Sequence, residues 1–137
     1  MKNVVLVYFE NEISCSQFPT REKAMRFLTD EFNSHKEDIE ESDDTASGLL
    51  NEEDGIATIE GRNGSFCVLK MRDNIEGNGI AVFNEEQMDF SIKDRMTEEE
   101  MDDAYNDEIC DYEGSDSGND FVGTDEYGYE VGVIKIY

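Results

Sequence analysis

The sequence predicts an α+β protein: a mostly antiparallel sheet of five or six strands packed on one long amphipathic helix, with a second, short acidic helix near one edge. Three segments carry that expectation. Residues Asn3 to Phe9 (NVVLVYF) form an apolar, β-branched and aromatic run, the pattern of a strand covered on both faces or central in a sheet. After Thr20, residues Ala24, Phe27, Leu28, Phe32, His35 and Ile39 recur at spacings of three and four, which makes one face of a helix of about five turns. Ile56 to Ile59 and Ser65 to Met71 flank Gly61-Arg62-Asn63-Gly64, an Asn-Gly turn able to supply the positive φ that a hairpin needs.

The remaining elements follow in order. Phe18-Pro19-Thr20 before Arg21-Glu22 marks a helix start with Thr20 as cap. Glu40 to Asp54 is polar, holds Ser, Asp, Thr and Gly around Leu49-Leu50, and is predicted as a mobile acidic loop. Ile80 to Phe83 and Met88 to Ile92 make a short strand pair about Asn84-Glu85-Glu86-Gln87. Thr97 caps a helix from Glu98 to about Cys110, with acids in the first turn where the macrodipole favours them. Val131, Val133, Ile134 and Ile136 end the chain in a strand too apolar to stand unpaired. Residues 96 to 128 therefore read as a tethered acidic insertion on the surface ahead of that strand. No internal repeat is read from the residues.

The chain of 137 residues suits a single domain, residues 1 to 137, able to bury roughly two-thirds of its unfolded surface. It carries 35 Asp and Glu against 11 Lys and Arg, a net charge of −24. That balance opposes unaided binding to nucleic acid or an anionic membrane and points to a basic partner. No apolar run reaches the ~20 residues of a membrane span, and Asn3 to Phe9 lacks the flanks of a secretory leader, so a cytoplasmic location is expected. Cys15, Cys67 and Cys110 are odd in number, have no C-x-x-C spacing and only His35 beside them, and are read as reduced thiols rather than as a disulfide framework or zinc site.

The charge is segregated. Glu37 to Gly61 holds ten acids and no base, and Met96 to Tyr137 holds fourteen acids against Lys135 alone. Like charge gathered on a folded domain works against compactness, so the clustering asks for a use. Catalysis is not read: no nucleophile sits with a base, His35 belongs to an apolar stripe, and Gly77-Asn78-Gly79 lacks the Lys and helix of a phosphate loop. No cofactor is expected. A carboxylate-rich calcium module is the competing reading for Asp111, Glu113, Asp116, Asp120, Asp125 and Glu126, but the EF-hand spacing fails: counted from Asp111 the sixth residue is Asp116 rather than Gly.

The other reading takes the acids as a surface. In the second helix Met101, Ala104, Tyr105 and Ile109 fall on one side, and Glu99, Glu100, Asp103 and Asp107 on the other. A single-sign field of this kind steers a positively charged partner, and Tyr112 and Tyr127 add rings for stacking on arginine. The predicted partner-binding residues are Glu98, Glu99, Glu100, Asp102, Asp103, Asp107 and Glu108 on the helix, and Asp111, Tyr112, Glu113, Asp116, Asp120, Asp125, Glu126 and Tyr127 after it. By charge count, 24 negative charges correspond to roughly 40 Å of duplex, or about twelve base pairs, which is about the length of a small domain.

Small size, extreme acidity, segregated carboxylates and no catalytic apparatus resemble the DNA-mimic proteins of bacteriophages and mobile elements, including anti-restriction and anti-CRISPR proteins. The resemblance covers Glu37 to Asp54 and Glu98 to Glu130 and rests on charge and size rather than on a motif. It implies an inhibitor that occupies the basic nucleic-acid groove of a host defence nuclease, a CRISPR effector or restriction enzyme, in the bacterial cytoplasm. An acidic adaptor or chaperone for a basic protein is the alternative from another class.

Overall fold

The computed structural model describes residues Met1 to Tyr137. The elements run β1 (Lys2–Phe9), β2 (Glu12–Phe18), α1 (Arg21–Ser42), β3 (Ser47–Asn51), β4 (Ile56–Glu60), β5 (Phe66–Ile75), β6 (Asn78–Asn84), β7 (Asp89–Met96), α2 (Glu98–Ile109), β8 (Glu113–Asp116), β9 (Asp120–Thr124) and β10 (Glu130–Ile136). The protein is α+β and every strand pairing is antiparallel. The strands do not make one sheet, however. They make two five-stranded sheets, ordered β2-β1-β5-β4-β3 and β7-β6-β10-β9-β8.

Alternation along the central strands explains the layers. In β1, Val4, Leu6 and Tyr8 point to one side and join Ala81, Phe83, Ile134 and Ile136 of the second sheet in a shared core. Val5 and Val7 point to the other side and meet Ala24, Leu28, Phe32 and Ile39 of α1. In the second sheet Ile80, Val131 and Val133 turn outward against Met101 and Tyr105 of α2. The result is four layers, helix, sheet, sheet, helix. The NVVLVYF run is indeed covered on both faces, by a helix on one and a second sheet on the other. A strand buried on both sides reads the same whichever element covers it, which is why one sheet was expected.

The two halves share one topology, strand-strand-helix-strand-strand-strand, and one strand order, so the molecule contains a structural repeat that the sequence reading did not find. The registers agree residue by residue. Val7 pairs with Ser14 and Leu69, and Val82 pairs with Ser91 and Val133. Thr20 caps α1 and Thr97 caps α2, with the buried Ala24 and Leu28 matching Met101 and Tyr105 at the same spacing from the cap. The β4–β5 and β9–β10 turns also match: Gly61 N–H donates to Ser65 O and Asp125 N–H to Tyr129 O, and each turn closes on a glycine of positive φ, Gly64 at 91° and Gly128 at 86°. Tyr8 and Phe83 occupy equivalent positions and stack on each other at 4.1 Å between the sheets. Gly132 makes room for this pair, since a Cβ there would lie 3.2 Å from the Tyr8 ring.

Three further segments differ from expectation. Glu40 to Asp54, read as a loop, holds the end of α1 and strand β3. Residues 96 to 128, read as a surface insertion, supply α2, β8 and β9, the last hydrogen-bonded to β10 within the sheet. Strand β2 was not anticipated: it reverses after Glu10 and Asn11, both at positive φ, and its Ser14 and Ser16 dilute the apolar signal as edge strands do. The terminal strand β10 is paired on both sides, by β6 and β9. No helix is long and apolar enough to cross a membrane.

Asp43 joins the end of α1 to the β4–β5 turn. Its carboxylate accepts from the Thr45 hydroxyl, from Thr45 N–H at 3.0 Å and from Asn63 N–H at 3.1 Å. The Thr45 hydroxyl first, and the Asn63 amide after it, hold the carboxyl below its ordinary 3.8. A group with a depressed folded pKa stabilises fully above its unfolded pKa and loses that contribution as pH falls through the folded one. Asp43→Ala is therefore expected to melt several degrees below the parent at pH 7. The gap should narrow as pH drops below about 3.8. Thermal melts of both proteins across that range check it, and a gap of constant size would show that the ionised carboxylate is not the cause.

Candidate acidic interface

The helix α2 forms because Thr97 accepts from Glu100 N–H at 3.1 Å while the Glu100 carboxylate accepts from Thr97 N–H at 3.0 Å, a reciprocal cap. Met101 and Tyr105 are buried beneath it. Glu98, Glu99, Asp103 and Asp107 are exposed and make neither a hydrogen bond nor an ion pair through their carboxylates, as helical spacing predicts. The remaining helix acids are engaged. Asp102 pairs with Lys135 Nζ at 2.9 Å, and Glu108 accepts from the Tyr112 hydroxyl at 2.9 Å.

Beyond the helix the predicted residues divide in the same way. Asp116 accepts from the Tyr105 hydroxyl at 2.5 Å and from Gly118 N–H at 2.8 Å, and these bonds hold its carboxyl below the usual range. Asp120 accepts from the Ser117 hydroxyl at 2.9 Å. Asp125 accepts from Tyr127 N–H and Tyr129 N–H, shaping the β9–β10 turn. Asp111, Glu113 and Glu126 are exposed and unbonded, Tyr127 is 75% exposed, and Tyr112 is half-buried against the α2 core. Burial first, and the acceptor carboxylate second, push the Tyr105 and Tyr112 hydroxyls upward, so both phenols stay protonated donors.

Lys135, the lone base of this region, is taken. It bonds Asp102 and lies 4.8 Å over the Tyr105 ring, and the hydrogen bond to Asp102 is the first cause of its raised pKa. The surface of α2, β8 and β9 thus presents carboxylates with no free cation among them. No group of three or more His, Cys, Asp or Glu side chains converges as metal ligands would.

The other acidic block, Glu37 to Gly61, lies on the C-terminal half of α1 and on β3 and β4. By the repeat β3 and β4 are equivalent to β8 and β9, whereas α2 matches the N-terminal part of α1, Arg21 to Phe32, which precedes the block. The helices cover opposite outer faces. Because β2 packs over β9 and β10 while β5 packs over β7, the acidic strand pairs also lie at opposite ends of the sandwich. The two acidic blocks therefore lie on two separate faces, so the 24 charges do not form one strip. By charge count residues 96 to 137, with fourteen acids against one lysine, correspond to at most about 22 Å of duplex, or six to seven base pairs, and Glu130 among them is turned inward to Tyr8.

Sequence reading missed a groove at the margin of this face, floored by Ile80 and Val82 and bounded by Asn84, Ser91, Glu108 and Tyr112. Only the internal repeat marks it. No family model, curated protein or solved structure matches the chain.

Proposed function

We propose that the protein is a non-catalytic inhibitor that mimics nucleic acid, occupying the basic groove of a defence nuclease, either a CRISPR effector or a restriction enzyme, and excluding DNA or RNA by competition. One observation carries the reading: Glu98, Glu99, Asp103 and Asp107 stand unpaired on a helix whose other side is core, while Lys135, the one base of residues 96 to 137, is bound to Asp102. Unpaired carboxylates on a rigid element keep their fixed spacing for a partner's Arg and Lys and lose no internal bond on binding. The association is fast and salt-sensitive, because exposed charges steer encounter and are screened within about 10 Å at 0.1 M salt.

The test is capture from a bacterial lysate followed by a competition assay. The captured protein is expected to be a basic nuclease that releases labelled duplex when one equivalent of the acidic protein is added, with release suppressed by salt. A captured protein that keeps its duplex at saturation would overturn inhibition and leave the adaptor reading.

A further inference from the structure

The repeat offers an internal template for a site. In the N-terminal half the Phe9 ring lies on the outer face of β1 against His35, with ring centroids 4.6 Å apart, and packs on the α1 core. Register places Asn84 at the position of Phe9: Phe9 pairs with Glu12 and Cys67, and Asn84 pairs with Asp89 and Val131. Tyr112 follows Thr97 at the spacing with which His35 follows Thr20, and Glu108 likewise matches Glu31. Glu31 meets His35 at 3.4 Å, and Glu108 accepts from Tyr112 at 2.9 Å. The acid and its ring partner are kept in both halves. The phenylalanine is not.

What remains where that ring would lie is a cavity of about 290 Å³ over Ile80 and Val82. The consequence appears in the floor: Val7 is 8% exposed beneath Phe9, whereas its equivalent Val82 is only partly buried. The lining contains one ammonium, Lys93, and one carboxylate, Glu108, so it is locally balanced in a chain of net charge −24. A second depression adjoins it across Asn84 and Tyr112 and is walled by Glu86, Asp111, Asp125 and Glu126. A charge-balanced slot with an apolar floor and polar walls, beside a row of carboxylates, suits an aromatic side chain flanked by basic residues.

We propose that the groove between β6, β7 and the end of α2 receives an aromatic side chain of a basic protein partner, which takes the place that Phe9 fills in the N-terminal half. This rests on the proposed function for its partner and adds the anchor that the carboxylates alone do not provide. Burying a ring on an apolar floor contributes contact that salt does not screen, and a central aromatic anchor ringed by charge is a common arrangement of binding energy.

The test uses two amidated pentapeptides as probes, each with two lysines on either side of a central residue that is Phe in one and Ala in the other. With the parent protein the Phe peptide is expected to bind about tenfold more tightly. It should also shift the amide resonances of Val82, Asn84 and Ser91, which the Ala peptide leaves in place. Asn84→Phe refills the groove from within and should erase the difference while leaving salt-dependent binding of both peptides. Equal affinities for the parent, or a preference that survives in Asn84→Phe, would overturn the groove as an anchor site. If Asn84→Phe does not fold, the resonance map of the parent decides alone, and shifts confined to the exposed acids of α2 overturn the site. Failure of both peptides to bind at low salt would instead count against the acidic-surface reading itself.

Discussion

The triple variant Glu99→Lys, Asp103→Lys, Asp107→Lys is expected to lose inhibition of the captured nuclease by at least about a hundredfold, with its fold intact. These three residues stand four apart along α2 and so form one row on its exposed side. None makes a hydrogen bond or ion pair within the chain, so their replacement breaks nothing internal. Each reversal replaces an attraction to a partner cation with a repulsion, and the three move the net charge from −24 to −18. Relief of self-repulsion offsets the loss of the Glu99 carboxylate from the first turn of α2, so the melting temperature should change little. Bulk charge is separated from location by the matching triple Glu37→Lys, Asp38→Lys, Glu41→Lys on α1, which carries the same charge change on the opposite face. Equal loss in both variants would mean that net charge alone decides. Full inhibition by the α2 variant would remove that helix from the contact surface.

The local elements were legible because they rest on short-range signals. Thr20 and Thr97 are caps with a side-chain oxygen in reach of the N3 amide, and both are observed as caps. Gly61 to Gly64 turns the β4–β5 hairpin, and the Met101–Tyr105 side of α2 is its buried side. The long-range arrangement was not legible. Val4, Leu6 and Tyr8 carry no mark that their cover is a second sheet rather than a helix. The repeat is written in registers more than in residues: Ser14 matches Ser91 and Gly64 matches Gly128, but Leu6 matches Ala81, Phe9 matches Asn84 and Met71 matches Lys135. Charge obscures it further, because α1 carries basic Arg21, Lys23 and Arg26 where α2 carries Glu98, Glu100 and Asp103. The acidic surface itself was legible as composition. Which of its carboxylates are free was not, since Asp116 and Asp102 are bound to Tyr105 and Lys135, groups brought near by the fold.

Phe83→Ala is expected to cost about 3–5 kcal/mol, a large share of the roughly 5–15 kcal/mol that holds an ordinary domain together. Phe83 is fully buried and stacks on Tyr8 at 4.1 Å and 15°, with Phe90 tilted beside it at 5.4 Å and Phe66 at 6.0 Å. Removing it opens a void between the sheets whose neighbours cannot all move in. Tyr8 is held by its hydroxyl on Glu130 at 3.1 Å, and Gly132 has no side chain to swing across. Phe83→Leu keeps most of the volume and should cost much less. The position also tests whether the halves are independent. Tyr8 belongs to the first half and Phe83 to the second, and the inner faces of both sheets make one core, so urea is expected to unfold parent and variant in a single transition, shifted to lower midpoint in the variant. Two transitions, with only that of the C-terminal half displaced, would mean that each half folds on its own helix-covered core and that the shared layer adds little.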